Sequence, residues 1–101
     1  MRTITGSGEH DGTEHFVFDL THEQVNIDFG QGHQIDDVLI STPDGDLFLS
    51  WDNASFSSEN CILVKAVDNL KEFNNIRCTK IHVMGKDPDK SIRVYLTIQR
   101  N

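Results

Sequence analysis

Strict alternation of apolar and polar residues constrains this chain more than any other feature of its sequence. The clearest case is residues 91–99, where Ile92, Val94, Leu96 and Ile98 alternate with Arg93, Tyr95, Thr97 and Gln99. A period of two places alternate side chains on opposite faces of a β-strand. The segment is therefore predicted to be a strand with one buried face and one hydrated face.

Six further segments show alternation or a short apolar run and are also predicted to be strands. They cover residues 16–20, 25–29, 37–41, 46–51, 61–66 and 79–85. The mostly apolar segment 61–66 is expected to be buried on both faces. Short strands separated by turn signals every few residues are typical of sandwiches. We predict an all-β fold, an antiparallel two-sheet sandwich of jelly-roll-like form.

Two connections carry strong turn chemistry. Residues 42–45 read Thr-Pro-Asp-Gly, in which proline presets φ and glycine accepts a positive φ. This predicts a hairpin between 37–41 and 46–51. The polar, proline-bearing connection 86–90 predicts a second hairpin, between 79–85 and 91–99.

One segment departs from alternation. Val67, Leu70 and Phe73 are three residues apart, which predicts one short helical turn within residues 67–73.

The 101-residue length predicts a single core. Residues 13–101 are predicted to form one β-sandwich domain, and the glycine-containing segment 1–12 a flexible N-terminal arm. No apolar leader is evident at the start. Cys61 and Cys78 are expected to be reduced thiols, although a disulfide between them stays open.

Charge and composition argue against several partners. Sixteen acidic residues against nine Lys and Arg give a formal charge of −7. Nucleic-acid phosphates and anionic membranes are held mainly by cationic side chains, so neither is an expected partner. No apolar run approaches the ~20 residues that span a bilayer.

No motif for catalysis or metal binding is present. Three of the five histidines, His10, His15 and His22, lie near carboxylates, but neither an HExxH motif nor paired Cys/His spacing occurs. Residues 52–60 are rich in oxygen donors without the spacing of an EF-hand. A GxSxG elbow is also missing. We predict no catalytic residue, no metal ligand and no cofactor, and hence a non-enzymatic protein.

Three aromatic residues are the candidate binding residues. Phe56 lies in the middle of the polar segment 52–60, where it either anchors a partner or folds back over the sandwich. Phe48 lies on the strand face opposite Trp51. Trp51 alternates with Leu47 and Leu49, which favours a core position over a binding role.

From about Gln24 to the C-terminus, the succession of strands resembles a group of phage proteins. The segments that carry the resemblance are 25–30, the Pro-Asp-Gly turn into 47–51, 64–70, 81–85 and 91–96. They resemble the small β-sandwich structural proteins of tailed-phage virions, namely capsid decoration (cement) proteins and fibre-anchoring proteins. The resemblance implies a virion protein that is assembled in the host cytoplasm. It further implies a homo-oligomer, with a trimer favoured, that binds capsid or appendage subunits.

Two alternative functions stay open. A carbohydrate-binding sandwich would use Trp51, Phe56 or Tyr95 as stacking faces. A small cupin-like metalloenzyme would need a bound Zn, Fe or Mn ion.

Overall fold

The computed structural model describes residues 2–6, 12–29, 34–51 and 61–100, which form nine β-strands and one 3-10 turn. The strands are β1 (Arg2–Thr5), β2 (Gly12–Leu20), β3 (Val25–Asp28), β4 (Asp37–Ser41), β5 (Leu47–Trp51), β6 (Ile62–Val64), β7 (Leu70–Phe73), β8 (Lys80–Gly85) and β9 (Ile92–Arg100). The 3-10 turn spans Ala66–Asp68. No helix in this part of the chain is long and apolar enough to cross a membrane.

The strands form two sheets. One has five strands in the order β1-β3-β8-β5-β6, and the other has four in the order β2-β9-β4-β7. Every pair is antiparallel except β1 with β3, which is parallel. The prediction of an all-β sandwich of two sheets is confirmed, with this one parallel pair at an edge.

The core lies between the sheets and is built by alternation. On β9, Ile92, Val94, Leu96 and Ile98 are all at most 3% exposed, whereas Tyr95 between them is 46% exposed. Complete burial of such a side chain contributes roughly 1.5–3 kcal/mol. Burial of alternate residues is therefore what holds the two sheets together.

Both predicted hairpins are wrong. β4 belongs to the four-stranded sheet and β5 to the five-stranded sheet, and β8 and β9 are likewise divided. The turn at 42–45 does form, with Thr42 Oγ1 donating to the Gly45 carbonyl at 2.6 Å. Turn residues specify that the chain reverses, and alternation specifies that one face is buried. Neither distinguishes a paired neighbour from a strand in the opposite layer.

Within the described residues, β5 and β6 are the only consecutive strands that pair in one sheet. β6 is an edge strand, so Val64 is buried while Ile62 and Leu63 are half-buried. The expected burial of 61–66 on both faces is therefore wrong: of these six residues only Val64, which faces inward beside Leu47, is buried.

The helical turn is shorter than predicted and starts earlier. It ends at Asp68, after which Asn69 adopts a positive φ of 64° and the chain enters β7. β7 pairs with β4, which makes Leu70 an outward strand residue and Phe73 an inward one. Tertiary pairing has overridden the local three-residue spacing.

Part of the segment predicted as an arm is strand β1. Its residues Arg2–Thr5 align with 25–28 of β3, and the Gly6 amide donates to the Asp28 carbonyl at 2.9 Å. Residues 7–11 lie outside the described part of the chain. Both cysteines are free: Cys78 is buried in the core and Cys61 is half-buried.

We expect Gly85→Ala to destabilise the fold. A Cβ at this position would lie 2.7 Å from the Thr21 carbonyl oxygen, which already accepts the Gly85 amide at 2.8 Å. Overpacking of this kind costs about 1–3 kcal/mol. Urea unfolding should show a lower midpoint for Gly85→Ala, and an unchanged midpoint for Ser91→Ala at an exposed position. Equal midpoints for both variants would contradict the close approach.

Candidate functional site

The space between the sheets is where a sandwich would enclose a ligand, and apolar side chains fill it here. On β5 and β8, the inward residues Leu47, Leu49, Ile81 and Val83 are all completely buried. Among the described residues, no group of three or more His, Cys, Asp or Glu is placed to hold a metal ion. Along β5 and β8 the described interior is therefore lined by hydrocarbon side chains.

The three described histidines lie apart and none joins the apolar core. His15 is on the outer side of β2, with Nδ1 2.9 Å from Thr97 Oγ1. His22 is in the turn after β2, with Nδ1 2.7 Å from the Gly85 carbonyl. His82 is buried on the outer side of β8, with Nδ1 2.6 Å from Asn26 Oδ1. His10 and His33 lie outside the described residues.

An ion pair between a buried arginine and a partly buried glutamate lies at one end of the core. Arg100, only 2% exposed at the end of β9, donates through Nη2 to Glu14 Oε2 at 3.0 Å. Its guanidinium carbon also lies 5.4 Å from the centroid of the Phe29 ring. The neighbouring Gly6 packs so closely that an added Cβ would be 2.7 Å from that ring. The Arg100 guanidinium is thus held by Glu14 and Phe29 of its own chain, which indicates a structural role.

The outer side of the four-stranded sheet carries an exposed apolar row. The strand register aligns Val17, Tyr95, Ser41 and Leu70 across β2, β9, β4 and β7. Val17 is 57% exposed and Leu70 is 58% exposed. We call this side the open face; its members are Thr13, His15, Val17, Asp19, Asp37, Leu39, Ser41, Leu70, Glu72, Arg93, Tyr95, Thr97 and Gln99.

Charges on the open face lie at its two ends and along its β7 edge. Arg93 Nε donates to Asp19 Oδ1 at 3.0 Å at one end. Asp37 lies towards the other end, where its Oδ1 accepts the Asn75 amide at 3.2 Å. Between them the second row includes the uncharged Thr97 and Leu39, followed by Glu72 on β7. On the two central strands, the middle of the open face is therefore apolar or weakly polar.

The predicted binding residues are not brought together. Phe48 is half-buried on the outer side of the five-stranded sheet, between Leu63 and Met84 in register. Trp51 points to the opposite side and packs edge-on against Phe73, with ring centroids 5.2 Å apart. Phe56 lies outside the described residues. Their binding roles stay predictions.

The exposed row is not evident as a surface in the sequence. Its one sequence signal is an apolar residue at an outward alternate position, as with Val17 between Phe16 and Phe18. The predicted helical turn at Leu70 does not indicate an alignment with Tyr95. Only the register of four strands brings these residues into one row.

Comparisons with solved structures define the class of fold. The chain superposes on the Cupin_2 domain of an XRE family transcriptional regulator from Enterobacter cloacae with a TM-score of 0.58 and 8% identity, covering 88% of this chain and 82% of that one. The cupin domain of Schizosaccharomyces pombe Cnp3 gives a TM-score of 0.56 and 13% identity, with 92% and 56% covered. The EutQ protein of Clostridium difficile gives a TM-score of 0.52 and 11% identity, and the match covers 87% of this chain and 56% of the EutQ chain.

The chain therefore has a cupin-like fold. Similarities at such low sequence identities establish the fold alone. It spans only 56% of the Cnp3 and EutQ chains. No family model matches the sequence, and no curated protein matches it.

The predicted virion function is wrong. The structural neighbours are cupin domains and related proteins, and those described above include no phage structural protein. The resemblance rested on a rhythm of strands, which jelly-roll sandwiches of many families share. These neighbours favour the cupin-like alternative for the fold.

We expect Arg100→Met to lower the free energy of unfolding by about 1–3 kcal/mol, because it removes the buried guanidinium that donates to the partly buried Glu14 carboxylate. Lys80→Met, which removes an exposed ion pair with Asp28 at 4.0 Å, should cost less than about 1 kcal/mol. Urea denaturation followed by tryptophan fluorescence measures both. Similar losses in the two variants would show that burial does not distinguish the pairs.

Proposed function

We propose that this chain is a non-enzymatic, cupin-fold interaction module that works through its outer surface. The observation that carries the proposal is the identity of the inward side chains. Among the described strands of both sheets, most inward side chains are apolar and pack into one hydrophobic core. In such a molecule, most of the polar side chains that could contact a partner lie on the outer surface rather than between the sheets.

A cupin-like metalloenzyme would need converging nitrogen and oxygen ligands in the interior. Inward positions of β5, β8 and β9 are occupied by Leu49, Ile81, Val83 and Leu96, none of which can ligate a metal. The described histidines point elsewhere, to Thr97, Gly85 and Asn26. The residues present do not fit a metal centre in this part of the chain.

The names of two structural neighbours are compatible with a binding role. One is a domain of a transcriptional regulator and the other is the cupin domain of Cnp3, and neither name states a reaction. In both cases the cupin fold is a part of a larger protein. The proposal for this chain rests on its own residues, and the names agree with it.

Metal analysis of the purified protein tests the proposal. We expect well below one equivalent of Zn, Fe or Mn per chain, and no change in Tm on adding EDTA or these ions. A functional site held at about 100 times its Kd would stabilise the protein by about 2.7 kcal/mol, which raises Tm measurably. One bound ion per chain, with a Tm that falls on chelation, would overturn the proposal.

A further inference from the structure

We infer that the open face binds a basic, amphipathic peptide segment of a partner protein, in which a Lys or Arg side chain lies two residues from an aliphatic or aromatic one. The inference rests on the proposed function and names the chemistry of the partner. Three features of the face carry it: a small polar depression, two carboxylates that line this depression, and the exposed apolar row beside it.

A depression of about 130 Å³ lies on the open face, in the two rows of side chains next to the apolar row. Leu39 and Thr97 belong to the nearer of these rows, and Asp37 and Gln99 to the farther one. Small-molecule sites occupy roughly 300–1,000 Å³. The depression is therefore too small for a cofactor, and it suits the end of a single long side chain.

Two carboxylates line the depression, and one amide joins them. With its amide nitrogen turned towards the carboxylates, the Asn74 side chain donates to Asp37 Oδ1 at 3.2 Å and to Glu72 Oε1 at 3.1 Å. Among the residues that the structure describes, neither carboxylate forms an ion pair with a Lys or Arg side chain. Two negative charges that share one nitrogen favour a cationic ligand group, to which carboxylates make strong, charge-assisted hydrogen bonds.

The charge of the remaining surface has the same sign. Arg93 is the one Lys or Arg among the named members of the open face, and Asp19 already pairs with it at 3.0 Å. The whole chain carries a formal charge of −7. Such a field attracts a basic partner and repels phosphate groups. Charge complementarity therefore favours a basic segment over nucleic acid or an anionic lipid surface.

The apolar row requires a partner that is more than a cation. Val17, Tyr95 and Leu70 are 57%, 46% and 58% exposed. A contiguous exposed apolar patch marks a site of association, and tyrosine is a frequent anchor of binding energy. A metal ion or a polyamine would leave this row uncovered.

The spacing of the two features matches an extended peptide. Thr97 follows Tyr95 by two residues on β9, and Glu72 follows Leu70 by two on β7. Two residues of a strand span about 7 Å, and the same distance separates neighbouring side chains on one side of an extended peptide. One apolar and one basic side chain of the partner can therefore contact the row and the depression together.

Titration of ¹⁵N-labelled protein with blocked heptapeptides, followed by NMR, tests the inference. The first peptide, Gly-Lys-Ser-Tyr-Ser-Lys-Gly, presents both Lys and the Tyr on one side when extended. We expect saturable shifts of amides in β4, β7 and β9, with a Kd below about 1 mM. Peptides in which Glu replaces both Lys, or Ser replaces Tyr, should each bind at least about 10-fold more weakly.

Variants of the protein test the residues. Asp37→Asn combined with Glu72→Gln removes both charges but keeps oxygen atoms that accept from Asn74 and Asn75. This double variant should bind the Lys peptide about 10-fold more weakly, which corresponds to about 1.4 kcal/mol. Tyr95→Ser should weaken binding by a similar factor. Circular dichroism verifies that each variant is folded.

A second double variant is the matched control. Asp87→Asn combined with Asp89→Asn makes the same change in net charge, in the exposed connection between β8 and β9. It should alter the Kd for the Lys peptide by less than about twofold.

The absence of saturable shifts at about 2 mM Lys peptide would overturn the inference. So would equal weakening by the two double variants, because net charge alone would then attract the peptide. Shifts on the open face with maltose, without any with the Lys peptide, would assign the face to a neutral sugar instead. None of these outcomes changes the metal content, which tests the proposed function by itself.

Discussion

The structure depends on burial of alternate side chains between two sheets. Nearly all of the strength of such a sandwich comes from apolar residues that meet across a single layer, because an exposed strand face contributes little. Leu47, Ile81 and Val94 come from both layers and are completely buried. In a chain of this length, filling that layer with hydrocarbon uses most of the interior volume. The apolar residues that stabilise the fold therefore leave little room for polar groups in its interior.

Alternation predicted the two-sheet sandwich and most of its strands, but not how the strands are arranged. The segment from Ile92 to Ile98 was assigned correctly from its period of two, and its burial follows the pattern residue by residue. Its neighbours in the sheet are β2 and β4, both distant in sequence, rather than the preceding strand β8. Pairing is a non-local property, since any strand with the same pattern can serve as a neighbour. Leu70 shows the same limit on a smaller scale.

The candidate surface was harder to predict than the fold. Trp51 and Phe48 stand out in the sequence because they are aromatic, yet each is partly covered by residues of its own chain. Val17, Tyr95 and Leu70 are distant in sequence and form one row only through three strand pairings. Identifying a surface of this kind requires the register of the sheet. The function of the chain could not be read from its strand rhythm for a related reason, because that rhythm specifies an architecture which unrelated families share.

The way the chain alternates between its two layers has a kinetic consequence. Only β5 and β6 are consecutive strands that pair within the described residues, so almost no sheet contact can form by local zipping. Loop-closure entropy must be lost before most native contacts form, and domains with such high contact order refold in milliseconds to seconds. During that interval the nine-residue strand β2 has yet to meet β9, and its backbone is open to strands of other chains. Refolding yield should therefore fall as the chain concentration rises.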